Sequence, residues 1–172
     1  MKAMIAALAE YNEMADRAML EILDGLDPGA LDAETGTYFK SLHGTVAHLA
    51  WAGALWLRRF ASFGEWKAAR GSFGGRELDA LKAEAKADWK AARALLVEGD
   101  AALRALVAEI PEGEFGKRVA YKTTDGTPLE RTLWHALVQV LNHGTHHRGE
   151  ISAMLDRAGV ENDFNSFVSY FS

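Results

Sequence analysis

The 172-residue chain predicts an all-α fold, a four-helix bundle with a small β-hairpin before the last long helix. Three observations lead there. Four long stretches carry apolar residues at every third or fourth position, the period of a helix with one buried face. Clusters of turn-forming residues separate them. One stretch, between the third and fourth, has the Val, Tyr and Thr content of strands. No linker, repeat or low-complexity tract divides the chain, so residues 1–172 are expected to form one domain, and 49% hydrophobic residues supply its core.

The first helix is predicted from about Lys2 to Leu26, with Ile5, Leu8, Ala15, Met19, Ile22 and Leu26 on its apolar face and Glu10, Glu13, Asp16 and Arg17 opposite. "DGLDPG" ends it. The second runs from about Leu42 to Phe60 through Val46, Leu49, Leu55, Trp56 and Leu57. "SFGGRE" then reads as a loop into a third helix, roughly Glu77 to Ile110, with Leu78, Leu81, Ala85, Trp89, Ala92 and Leu96 in step and Pro111 as its stop. Gly99 marks a candidate bend. In "KRVAYKTTDGTPLER" the Asp125-Gly126 pair signals a hairpin turn. The fourth helix starts at Leu129 or Thr132 and reaches Ala158, with Gly159 ending it, and "DFNSFVSYF" is expected to close as a short apolar turn or helix.

Composition narrows the function. There is no cysteine, which removes disulfides, thiolate nucleophiles and thiolate ligands, so any metal must be held by His, Asp or Glu. The same absence suits a reducing cytoplasm. The apolar run before Glu10 is too brief for a signal-peptide core or a membrane span, so no membrane partner is expected. Nineteen basic against 24 acidic residues leave a net charge of −5 with no basic run, which argues against a nucleic-acid partner.

"LNHGTHHRGE", Leu141 to Glu150, places three histidines and two glycines within the fourth helix. Leu133, Ala136, Val140, His143, His147, Ile151 and Met154 are spaced by three or four, as one buried stripe would be. His143 and His147 stand one turn apart, about 6 Å between Cβ atoms, near enough to share an ion. His135, Gln139, Asn142 and His146 trace a more polar stripe, which leaves His146 outside the ligand set. A third ligand must come from another segment, and the second helix offers His43 and His48. They lie about 140° apart around a helix and cannot share a face. His48, with Thr45, Trp51 and Ala52 as helical neighbours, is preferred over His43 near the helix start. Three neutral imidazoles leave coordination positions open, as catalytic rather than closed structural zinc sites do. The competing reading is a set of hydrogen-bonded core histidines without metal.

Other residues carry weaker expectations. Gly144 and Gly149 each cost about 1 kcal/mol within a helix, which a close neighbouring helix, a second subunit or a ligand would offset. Glu150 either orients a ligand imidazole or pairs with His146 at the surface, the second being slightly favoured. The five tryptophans are expected mainly in the core, with Trp51 a candidate pocket wall, and Arg58 and Arg59 are expected to solvate the end of the second helix.

"YNEMADRAMLEILDGL", "SLHGTVAHLAWAGALWLRRF" and "LWHALVQVLNHGTHHRGEISAML" resemble the DinB family over most of the chain. The resemblance implies a four-helix bundle, often a homodimer, that binds a divalent metal such as nickel or zinc through one second-helix histidine and a late H-x-x-x-H pair. Residue by residue these fall on His48, His143 and His147. It further implies a metalloenzyme activating a low-molecular-weight thiol, such as bacillithiol or mycothiol, or else water, for transfer to a small electrophilic substrate. A non-catalytic, metal-stabilised bundle acting in binding or stress response is the alternative. No catalytic side chain is assigned. Two positions depart from the family pattern: Gly53, where relatives often carry an acidic residue, and Glu150, where a glutamine commonly follows "HHRG".

Overall fold

The computed structural model describes residues 1–171. In chain order its helices are α1 (Lys2–Asp24), α2 (Pro28–Asp32), α3 (Leu42–Phe63), α4 (Lys67–Gly71), α5 (Leu78–Ala87), α6 (Trp89–Glu109) and α7 (Leu133–Arg157). The strands β1 (Arg118–Lys122) and β2 (Pro128–Thr132) form a hairpin directly before α7. The long helices α1, α3, α6 and α7 make the bundle, in which α1 and α3 each pack against both α6 and α7. The second and fourth predicted helices are therefore neighbours, as a site shared between them requires.

Each boundary has a local cause. Ser41 caps α3 by accepting a hydrogen bond from the Gly44 amide at 3.0 Å. Gly44 is itself required, because a Cβ there would collide with the Phe39 carbonyl. That close approach lays the loop before α3 against the helix one turn ahead of His48. The hairpin pairs Arg118 with Thr132, Ala120 with Glu130 and Lys122 with Pro128, and Gly126 takes φ 88° in its turn. The segment just before β1 receives the start of α7: the Leu133 amide donates to Lys117 O at 2.8 Å and that of Trp134 to Phe115 O at 3.1 Å.

The third predicted helix is not continuous. The chain breaks at Asp88, which adopts an extended backbone (φ −144°, ψ 126°), and its carboxylate accepts from the Ala91 amide at 2.9 Å to begin α6. The alanine-rich run on either side favours helix strongly enough to hide the break. Gly99 makes no bend; α6 runs through it against the Phe73 ring. The "SFGGRE" loop includes a 3-10 turn at Ser72–Gly75, preceded by α4, and "DFNSFVSYF" contains one at Phe167–Tyr170.

The core includes Ile5, Met19, Leu23, Val46, Leu57, Phe60, Leu106, Leu137, Ile151 and Leu155. Of the tryptophans Trp66 is buried, while Trp56, Trp89 and Trp134 lie half-buried against the core edge. Arg58 donates to Arg76 O, and Arg59 lies 4.7 Å from the Trp56 ring centroid and donates to Lys122 O, so both are engaged in contacts beyond solvation.

Candidate metal centre

On α7 the predicted stripe is real: Leu133, Ala136, His147, Ile151 and Met154 are buried and Val140 and His143 half-buried, while His135, Gln139, Asn142 and His146 are exposed. Nε2 of His143 lies 3.1 Å from Nε2 of His48 on α3 and 3.1 Å from Nε2 of His147. One ligand nitrogen from each of the three lies within 4.8 Å of the others. Metal–nitrogen bonds of about 2.0–2.1 Å place neighbouring ligand nitrogens roughly 3.0–3.4 Å apart, so this spacing fits three imidazoles around one ion.

Protonation favours the same reading. Burial, reinforced by His143, His147 and Lys82, lowers the His48 pKa to about 3. Burial, with His147 and His146 behind it, lowers that of His143 to about 4. Both rings are neutral at neutral pH and offer lone pairs. Nδ1 of His147 donates to Oε2 of Glu150 at 2.6 Å, which turns its Nε2 to His143. One proton among three such nitrogens can bridge only one close pair at a time. A cation satisfies all three.

Glu150 therefore fills both roles considered for it, since its Oε1 also lies 3.2 Å from Nε2 of exposed His146. His48 is fixed differently, stacked on Phe39 with ring centroids 4.0 Å apart and an interplanar angle of 17°. His43 stays out of the site: its ring is buried, with Nδ1 2.8 Å from Asp32 Oδ1 and Nε2 2.8 Å from Ala85 O. It ties α3 to α2 and α5 instead.

Sequence reasoning missed what lies behind His143. Arg148 is completely buried, its guanidinium donating to Asn12 Oδ1 at 2.8 Å, Asp16 Oδ1 at 3.0 Å and Thr145 Oγ1 at 3.1 Å. Asp16, expected on the polar face of the first helix, is buried in this network. Asn12 Nδ2 donates to Asp100 Oδ1 on α6 at 2.8 Å. Burial and then the charge of Asp16 hold the Asp100 pKa well above the ordinary carboxylate range, so Asp100 is the proton-bearing member of the pair. The network borders a cavity of about 30 Å³ that also touches Gly53, His143 and Gly144. Such a volume suits about two waters.

Gly144 now has its reason. A Cβ there would overlap Asn12 Oδ1 and stand 3.2 Å from Arg148 Nη1, so the glycine admits the network to the flank of α7. Gly149 has no neighbour within 4 Å of a Cβ.

A helical bundle with three convergent imidazoles on two adjacent helices defines a class of protein able to hold a divalent ion at the edge of its core. The chain belongs to the DinB family, whose model matches residues 1–170. No curated protein and no solved structure matches the chain. Among the described residues no helix is long and apolar enough to cross a membrane.

Proposed function

We propose that His48, His143 and His147 bind one divalent metal, nickel or zinc, and that the protein is a metalloenzyme activating a low-molecular-weight thiol, or else water, for transfer to a small electrophile. The observation that carries this is the meeting of three Nε2 atoms, two pairs of them 3.1 Å apart. A bound ion would lower the pKa of a thiol or water beside it and so supply a nucleophile at neutral pH. The residues of the chain then have distinct tasks. Glu150 fixes the tautomer of His147, and Phe39 holds the plane of His48. With no cysteine in the chain, the thiol comes from solution.

The same reading makes the chain a single cytoplasmic domain with small-molecule partners and no nucleic-acid or membrane partner, acting as a homodimer. Net charge −5 supports the exclusion of nucleic acid. A second reading, a metal that only stiffens the bundle, draws on the fact that the three histidines join α3 to α7. Untagged protein is expected to contain about one divalent ion per chain by elemental analysis, and His143→Ala to lose it. A metal-free wild type would overturn the site. One ion without turnover of any electrophile by any cellular thiol would overturn the transfer reaction and leave the stiffening role.

A further inference from the structure

A groove of about 480 Å³ lies between the loop before α3, α3 itself and α5, lined by Phe39, Lys40, His48, Trp51, Lys82 and Lys86. That volume is in the range of small-molecule sites. His48 belongs both to this groove and to the histidine trio, so the groove adjoins the candidate metal centre.

Three lysines line the groove in a chain of net charge −5. Arg17, Arg76 and Lys117, by contrast, are paired with Glu13, Glu84 and Glu114. Among the described residues Lys40, Lys82 and Lys86 form no ion pair. Lys82 and Lys86 stand one turn apart on α5, where like charges repel. Lys82 is half-buried with Nζ 4.5 Å from the Trp51 ring centroid, a contact that fixes an ammonium without neutralising it. Lys40 is set by its backbone: it takes φ 70°, uncommon for a residue with a Cβ, donates to Thr37 O at 3.0 Å, and accepts from the Thr35 amide at 2.6 Å. Phe39 and Trp51 add apolar faces between the charges. The groove sets three lysines without an ion pair, one of them held over Trp51, around an aromatic wall, which is the complement of a small organic anion.

We propose that this groove binds the carboxylates of a small polycarboxylate, holding the molecule with its reacting end toward His48. The carboxylates belong either to the thiol co-substrate or to the electrophile; the recognition chemistry is the same. The orientation toward a metal rests on the function proposed above, whereas anion binding itself does not.

Calorimetry of the full chain with succinate and its neutral diamide, succinamide, tests this on chelator-stripped and metal-loaded protein. Succinate is expected to bind both forms, with an affinity that falls as salt rises, and succinamide neither. Lys82→Gln and Lys86→Gln should each weaken succinate by about tenfold, Lys82→Arg should restore binding, and Lys117→Gln should change nothing. His143→Ala should lose metal yet keep succinate, which separates failure of the metal site from failure of the groove. If succinate binds no tighter than succinamide, or both glutamine variants keep its affinity within about twofold, the proposal is wrong. On metal-loaded protein, mercaptosuccinate binding about tenfold tighter than succinate assigns the carboxylates to the thiol. Equal affinities, with 2-mercaptoethanol still admitted beside succinate, assign them to the electrophile.

Discussion

Nδ1 of His147 donates to Oε2 of Glu150 across 2.6 Å, and this one bond decides which nitrogen of the ring faces His143. A carboxylate in this position raises the basicity of the imidazole and locks its orientation. Glu150→Ala is therefore expected to weaken metal binding by about 10- to 100-fold, and Glu150→Gln, which keeps an acceptor oxygen, by less. Competition with a chromogenic chelator measures it. Equal affinities in all three proteins would reduce Glu150 to a partner of His146.

Gly144→Ala should destabilise the protein even though alanine is the better helix former by about 1 kcal/mol. The new Cβ meets Asn12, which cannot step aside without losing its bonds to Asp100 at 2.8 Å and Arg148 at 2.8 Å. A net loss of about 1–3 kcal/mol is expected from urea unfolding. The Asn12→Ala background removes the collision, so the two substitutions should be strongly non-additive. Gly149→Ala, with open space around it, should instead gain stability.

Asp100 gives stability a dependence on pH whose sign follows from its raised pKa. Burial and the neighbouring Asp16 charge keep the folded-state carboxyl protonated, while the unfolded chain ionises it near the ordinary value. Its contribution is fully present below the unfolded pKa and fades as pH rises through the folded one, at up to about 1.4 kcal/mol per pH unit. Asparagine cannot ionise, so Asp100→Asn should gain on the wild type as pH increases from 4 to 7. Asp16→Asn should do the opposite of stabilising, since it strips buried Arg148 of a carboxylate at 3.0 Å and costs about 3–5 kcal/mol. Unfolding curves of the three proteins across that pH range decide it; parallel profiles for wild type and Asp100→Asn would refute a protonated Asp100.

The histidine trio was legible because one helical period places His143 and His147 on a shared face and the second helix offers a single well-placed companion, His48. The four long helices were legible for the same reason. Asp16 and Arg148 were not, because charged residues at helical spacing default to solvent, and only the packing of α1 against α7 shows that these two bury each other. The break at Asp88 was hidden by alanine on both sides, although an aspartate three residues before an unbonded amide is a capping signal. The lysine groove depends on how α5 turns after that break, and no sequence period encodes it.

Metal removal should loosen the bundle between α3 and α7, because the three imidazoles join two helices that are 95 residues apart in the chain at His48 and His143. A ligand that binds only the folded state adds RT ln(1 + [L]/Kd), about 2.7 kcal/mol at a hundredfold excess over Kd. For a protein of this size each kcal/mol moves Tm by about 2–4 °C. Loading chelator-stripped wild type with nickel or zinc should accordingly raise Tm by about 5–10 °C, and His143→Ala should show no rise. Hydrogen exchange gives the location: protection gained on loading should concentrate in the turns of α3 and α7 that carry His48, His143 and His147. A rise in Tm that survives in His143→Ala, or protection gained only at His146 and the exposed face of α7, would place the ion outside the trio.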